Sequence, residues 1–243
     1  RVEAAPGDRV VNGVLLHGYS IKNKPFELTV AVPKTAIEDD THGTYTPLMQ
    51  ELGRSAAAHP DELTFGLLKD GVSVKCYDGK PFFAANHPVK NALGKPESVA
   101  NADLGGNGPL WFVLDTSRAI KPLIFQDRKK PNFVAMTAET DPNVYSKAQF
   151  EYGVDSRCNV GFGFWQMAFG NKRTLNADNL WDSITQMRGF KADGGRKLGI
   201  TPTVLVVPPS LEKVATRLLE RELDSNSSNE LKGRLTLLVA DFL

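Results

Sequence analysis

The chain has 243 residues, of which 41% are hydrophobic, with 29 Lys and Arg against 28 Asp and Glu. That length buries a core without staples, and a net charge of +1 excludes a strongly basic nucleic-acid reader or a membrane-surface protein as the main role. Cys76 and Cys158 form no C-x-x-C pattern and indicate neither a zinc site nor a disulfide framework.

No apolar run reaches the about 18 residues of a membrane span, and the start RVEAAPGDR lacks a signal-peptide core. A soluble protein of a reducing compartment is expected. Residues 1–7 mix proline, glycine and charge and read as a flexible lead-in. Two strands follow at 10–21 and 26–32, joined by Lys22-Asn23-Lys24-Pro25; Phe26, Leu28, Val30 and Val32 alternate with Glu27, Thr29 and Ala31. A hairpin at a chain end is marginal alone in water, so its apolar face needs the next helix or a neighbouring subunit.

Residues 37–71 read as one long, interrupted amphipathic helix on which the rest is hung. Tyr45, Leu48, Met49, Leu52, Ala56, Leu63, Leu67 and Leu68 fall mostly at three- and four-residue steps. Glu38, Asp39 and Asp40 suit the positive end of its dipole, Thr41 or Thr44 is the expected cap, and Gly71 is the stop. His59-Pro60 predicts a kink or a restart, because proline lacks an amide donor and restricts the residue before it.

Beyond the helix, 72–83 predicts short strands about the turn Tyr77-Asp78-Gly79-Lys80, and 91–109 a long loop, either mobile or docked on a partner. Buried or half-buried strands are expected at 110–114, 122–125 and 132–136, the last two separated by a turn at 126–131. The most regular strand is 154–164: Val154, Cys158, Val160, Phe162 and Phe164 share one face, and Gly161 and Gly163 on the other admit close backbone approach. Trp165 adds a large contact area at its end. From Thr174 the pattern is helix, strand, helix, strand: Ala177, Leu180, Trp181, Ile184 and Met187 behind an Asn176 cap, then 203–207, then Leu211, Val214, Ala215, Leu218 and Leu219 behind Ser210, then 235–239. A boundary is expected near 170–174.

Little here points to catalysis. His17, His42, His59 and His87 stand at no metal-ligand spacing. His87 beside Asp78 and Asn86 is the one candidate general base, against the commoner role of a loop histidine bonded to backbone. Gly161-Phe162-Gly163-Phe164-Trp165-Gln166 opens like a dinucleotide fingerprint but lacks the third glycine and lies within a strand. The acidic run Glu38-Asp39-Asp40 suits a helix start better than a cation. Arg128-Lys129-Lys130 fits a solvated turn, a phosphate contact or an acidic patch on another subunit equally well. No nucleophile elbow or triad is present. From the residues alone the reading is a soluble α+β protein with extended, intermolecular elements, no enzyme, no cofactor and no metal.

The segments GYSIKNKPFELTVAVPKTAIEDD, YTPLMQELGRSAAAHPDEL, CYDGKPFFAANHPV, LDTSRAIKPLIFQDRKKP, GFGFWQMAFG, LWDSITQMRGF and LGITPTVLVVPPSLEKVATRLLERE, with the ending SNELKGRLTLLVADFL, go further. Over residues 8–243 they resemble the major head protein family of Mu-like phages and prophages, the gpT type. The resemblance implies an α+β, HK97-like major capsid fold: an N-terminal segment with an extended hairpin loop at 1–34, a peripheral domain with a long spine helix and long β-strands at 35–172, and an axial α/β domain at 173–243. It implies a subunit that self-assembles through pentamers and hexamers into an icosahedral shell around double-stranded DNA, packaged without sequence specificity. Scaffold, head protease, portal and decoration proteins are the implied partners, with no membrane. The implied location is the virion, after assembly in the host cytoplasm. Within that fold the segment 125–168 precedes the axial helices, whereas the usual HK97-type order places it after them, so a rearranged chain order is expected. Family members carry an arm upstream of the first strand, whose end RVEAAPGDR does not resemble. Assembly contacts are expected between Lys22, Lys24, Arg128, Lys129 and Lys130 and a neighbour's Glu38, Asp39 and Asp40. An encapsulin-like cargo shell, or a hydrolase using His87 and Asp78, are the alternatives.

Overall fold

The computed structural model describes residues 20–41, 43–224 and 227–243. The expected strand at 10–21 falls almost wholly outside the described residues, as do His17 and His42. Its predicted partner is a ten-residue strand, β1 (Lys24–Pro33). A short helix α1 (Lys34–Glu38) and a long helix α2 (Tyr45–Asp70) follow. The single helix expected at 37–71 is thus two helices. Asp40 is the reason: its carboxylate accepts from the Thr44 amide (3.0 Å), the Thr44 hydroxyl (2.8 Å) and the Tyr45 amide (3.2 Å), satisfying donors that open α2. Thr44 occupies the cap position, as one of the two threonines expected there, but makes no side-chain cap bond. Asp40→Ala is expected to cost about 1 kcal/mol, read as a lower denaturant midpoint at unchanged slope.

Of the kink or restart expected at His59-Pro60, the restart does not occur: α2 continues through Pro60. The missing amide bond costs one link, while the Thr64 hydroxyl donates to the Pro60 carbonyl at 2.7 Å and the His59 ring packs edge-on against Phe26 at 4.3 Å. Only Leu52 and Leu68 of its 26 residues are buried.

Strand β2 (His87–Lys90) pairs antiparallel with β3 (Pro96–Val99), and β3 and the short β4 (Ala102–Asp103) lie within the region expected as a loop at 91–109. The strands expected at 72–83 reduce to a tight turn closed by the Cys76 amide on the Lys80 carbonyl (2.8 Å), with Gly79 at φ 79° where a side chain would be strained. Next come β5 (Trp111–Leu114), β6 (Leu123–Met136), helix α3 (Pro142–Lys147) and β7 (Gln149–Phe162). The two strands expected at 122–125 and 132–136 are the single strand β6. Its register against β7 slips on either side of Lys129, so Arg128-Lys129-Lys130-Pro131 is a bulged stretch of strand and not a turn.

The chain closes with β8 (Ala168–Asn171), α4 (Ala177–Gly189), β9 (Val204–Val207), α5 (Glu212–Glu220), the paired β10 (Leu223–Asp224) and β11 (Ser227–Ser228), and β12 (Thr236–Val239). Asn176 caps α4, accepting from the Asn179 amide at 2.8 Å. Ser210 does not cap α5; it lies in a 3-10 turn ahead of it.

Two sheets organise the described residues. One is antiparallel, in the order β1-β7-β6, with α2 packed on β6 and β7. The other is mixed, in the order β12-β9-β5-β8-β4, with β12 parallel to β9. This sheet crosses the boundary expected at 172/173: β5 pairs with both β8 and β9, so a cut there would divide one core. The reason is burial, since Trp111, Phe112 and Val113 are wholly enclosed and need cover on both faces. Each enclosed side chain of this size contributes roughly 1.5–3 kcal/mol. Strands β6 and β7 precede α4 and α5 in the chain and lie outside this mixed sheet. Among the described residues no helix is long and apolar enough to cross a membrane.

Candidate functional site

Two features stand out: the surface of the β1-β7-β6 sheet, and a polar network buried where the segment after α2 meets the mixed sheet. In the first, Lys22 and Lys24 are exposed at the start of β1, and Lys24 lies level with Cys158, which pairs on its other side with Asp127. Arg128, Lys129 and Lys130 are exposed on the bulged stretch beyond, so the basic residues gather along one part of the sheet. Glu38, Asp39 and Asp40 follow the opposite end of β1, roughly 30 Å away at about 3.3 Å per residue. The structure therefore does not bring the expected acids and bases together within one chain. Three of them are engaged locally: Lys129 pairs with Asp155, Glu38 with Lys34 at 3.7 Å, and Asp40 opens α2. Beside them Leu28, Phe125, Phe133 and Val134 turn large apolar side chains to solvent, Phe133 at 54% exposure.

The buried network is centred on His87, which is fully enclosed. Its Nδ1 lies 2.6 Å from Asp78 Oδ2 and its Nε2 lies 3.1 Å from Asn101 Oδ1. Asn101 orients itself unambiguously: its amide nitrogen donates toward the carbonyls of Phe82 (2.8 Å), Trp165 (3.2 Å) and Ala168 (3.4 Å), leaving its oxygen to accept from the Ala84 amide (3.0 Å) and from His87. Both ring nitrogens of His87 thus face oxygen atoms, Asp78 Oδ2 on one side and Asn101 Oδ1 on the other. The ring stacks on Trp165 at 4.1 Å, and Trp165 meets Phe190 edge-on at 5.6 Å.

Asp78 also accepts from the Cys76 thiol (3.0 Å) and the Lys80 amide (2.9 Å). Burial pushes its carboxyl upward, but the bonds from His87, Cys76 and Lys80 outweigh burial and hold it below its ordinary value. Burial first, then the bond to Asp78, pushes the Cys76 thiol up to about 12. Burial likewise pushes Tyr77 up to about 12, its hydroxyl being bonded to Gln166. The donor atoms of Cys76, Asp78 and His87 lie within 4.8 Å of one another.

The reading of Asp78 and His87 as a hydrolytic pair is corrected by this geometry. The two do meet, but Nε2, the nitrogen that would activate water, is occupied by Asn101, and the ring has no exposed surface for a substrate. Sequence reasoning missed Asn101 and Cys76. The turn chemistry of Asp78-Gly79 was the signal that Cys76 and Asp78 fold onto one side; nothing in spacing marked Asn101.

A long helix laid over an antiparallel sheet of long strands, beside a mixed α/β sheet, is the α+β, HK97-like fold of phage capsid subunits. The structure superposes on the subunit in the procapsid of bacteriophage JBD30 with a TM-score of 0.83 and 45% identity, over 100% of this chain and 83% of that one. It superposes on the JBD30 capsid decorated with minor capsid protein trimers with a TM-score of 0.81 and 31% identity, over 98% and 80% of the two chains. The chain belongs to the Mu-like prophage major head subunit gpT family, whose model matches residues 4–243. It is 49% identical to the major capsid protein of Escherichia phage Mu, over 98% of this chain and 81% of that protein. It is 47% identical to the Mu-like prophage FluMu major head subunit of Haemophilus influenzae, over 98% and 80%. The chain is a structural head subunit of this family and builds capsid shells, and the cargo-shell and hydrolase alternatives fall away.

Proposed function

We propose that copies of this chain meet as pentamers and hexamers and close an icosahedral shell around double-stranded DNA, which they hold without sequence specificity. The separation of charge along the β1-β7-β6 sheet supports this reading most directly. A closed shell needs one patch to meet a different patch on the next copy. Bases and acids some 30 Å apart along one sheet cannot pair within a chain, but they pair head to tail between copies.

Among the described residues, Lys22, Lys24, Arg128, Lys130 and Asp39 make no ion pair. They carry the intermolecular contacts, with Glu38 shared between Lys34 and the neighbour. Lys129 and Asp40 support them from within, one by tying the bulge to β7 and the other by fixing the start of α2. The exposed Leu28, Phe133 and Val134, and the thin burial of α2, mark surface that other copies cover. The likeness to a decorated capsid supports a trimeric minor capsid protein as an outer partner. Scaffold, head protease and portal are the further partners of such a head, which assembles in the host cytoplasm.

Reversing both Arg128→Glu and Lys130→Glu is expected to lower particle yield about tenfold or more, a change of about 1.4 kcal/mol, with far-UV circular dichroism and thermal midpoint of the subunit unchanged. Negative-stain microscopy and sedimentation read the yield. Normal particles from the double variant overturn the charge assignment. Added salt is expected to weaken assembly of the parent in the same direction, because these contacts sit on exposed surface.

A further inference from the structure

We propose that Cys76, Asp78 and His87 are the ligands of a divalent transition-metal ion of the zinc class. The three donor atoms, one sulfur, one carboxylate oxygen and one imidazole nitrogen, lie within 4.8 Å of one another although they come from a turn and a strand. The Cys76–Lys80 turn makes this possible: closed at both ends by the Cys76 amide on Lys80 and the Gly79 amide on Cys76 (3.1 Å), it sets the two short side chains on one side. His87, at the first position of β2, completes the set from across the turn.

Three observations point to a transition metal. The donors are of the softness that selects zinc-class ions over calcium or magnesium, which take oxygen ligands almost exclusively. His87 Nε2 is held by Asn101, whose own amide is fixed by backbone carbonyls; an outer hydrogen bond of this kind orients a metal-bound imidazole. Charge also balances in the bound state: a carboxylate and a thiolate match the two charges of the ion beside a neutral ring, and the displaced thiol proton goes to solvent. Asp78 borders a cavity of about 660 Å³ lined also by Tyr77, Gln166 and Arg118, and a tetrahedral ion on these three ligands would take a water as its fourth.

The fold stands without the ion because the thiol and the ring already bond to Asp78. The ion adds stability by binding only the folded chain. It clips the Cys76–Lys80 turn to the start of β2 by coordination.

Chelator-treated full chain, titrated with Co²⁺ as a spectroscopic probe, tests this. Expected are one ion per chain, a thiolate-to-cobalt charge-transfer absorption, release of the thiol proton and a higher thermal midpoint; Zn²⁺ then displaces the colour. Cys158→Ser is expected to keep the absorption and Cys76→Ser to lose it. No charge-transfer absorption in the parent at saturating Co²⁺, or the same absorption in Cys76→Ser, overturns the proposal. Should Cys76→Ser fail to fold, the parent and Cys158→Ser titrations decide: absorption in both supports the site, and its absence in the parent, or its loss in Cys158→Ser, overturns it.

Discussion

Replacing Asn101 with alanine is expected to destabilise the subunit by on the order of 4 kcal/mol, enough to remove most soluble protein before any shell forms. One side chain here satisfies five groups from three stretches of chain: the Phe82 carbonyl and Ala84 amide, the His87 ring, and the Trp165 and Ala168 carbonyls. Alanine leaves these without their partner in a site with no exposed surface. Each orphaned buried group costs about 1–3 kcal/mol, less than additively. The loss falls at the joint between the segment after α2 and the mixed sheet, so the urea midpoint should drop with the slope unchanged. Asn101→Asp is expected to be nearly as harmful, because it sets a carboxylate oxygen against the carbonyls of Phe82 and Trp165. A change under about 1 kcal/mol in Asn101→Ala would mean that water replaces the amide and that the network is not what fixes the joint.

Gly163→Ala is the second large effect, expected to cost about 3 kcal/mol or more. A Cβ built there would stand 1.9 Å from the Lys121 carbonyl oxygen and 3.1 Å from its carbon. The obstacle is backbone, and the backbone cannot retreat freely, because the Gly163 amide donates to the Pro122 carbonyl at 2.8 Å and Phe162 is enclosed beside it. Gly53→Ala on α2 is the matched control. It meets nothing within 4 Å, lies on an exposed helix position and is expected to stabilise by roughly 0.5–1 kcal/mol. Thermal midpoints of the two variants moving in opposite directions would establish that crowding at Lys121, not loss of glycine as such, sets the cost.

These two residues show where sequence reading reaches and where it stops. The glycine face of 154–164 announced a close backbone approach, because only a missing side chain allows one, and Gly163 provides it. The Asn176 cap and the two helices and two strands expected after it followed from local rules of period and hydrogen bonding, whereas the Ser210 cap did not form. His87 and Asp78 were legible as a candidate pair from their nearness in sequence, and the structure joins them at 2.6 Å. Asn101 was not, because its partners lie as far off as Ala168 in sequence and an isolated asparagine carries no periodic signal.

What the sequence by itself determined is the family, through long ordered motifs, and the type of most elements, since period-two and helical spacing act over a few residues. Only the tertiary structure decided the rest. It drew β5 and β8 into the sheet of β9 and β12, because a strand as apolar as Trp111–Leu114 must be covered on both faces by whatever lies near in space. It let α2 run through Pro60, because packing against the sheet outweighs one lost hydrogen bond. It set the expected bases beside the start of β1 and the expected acids beyond its other end, where they do not meet within one chain.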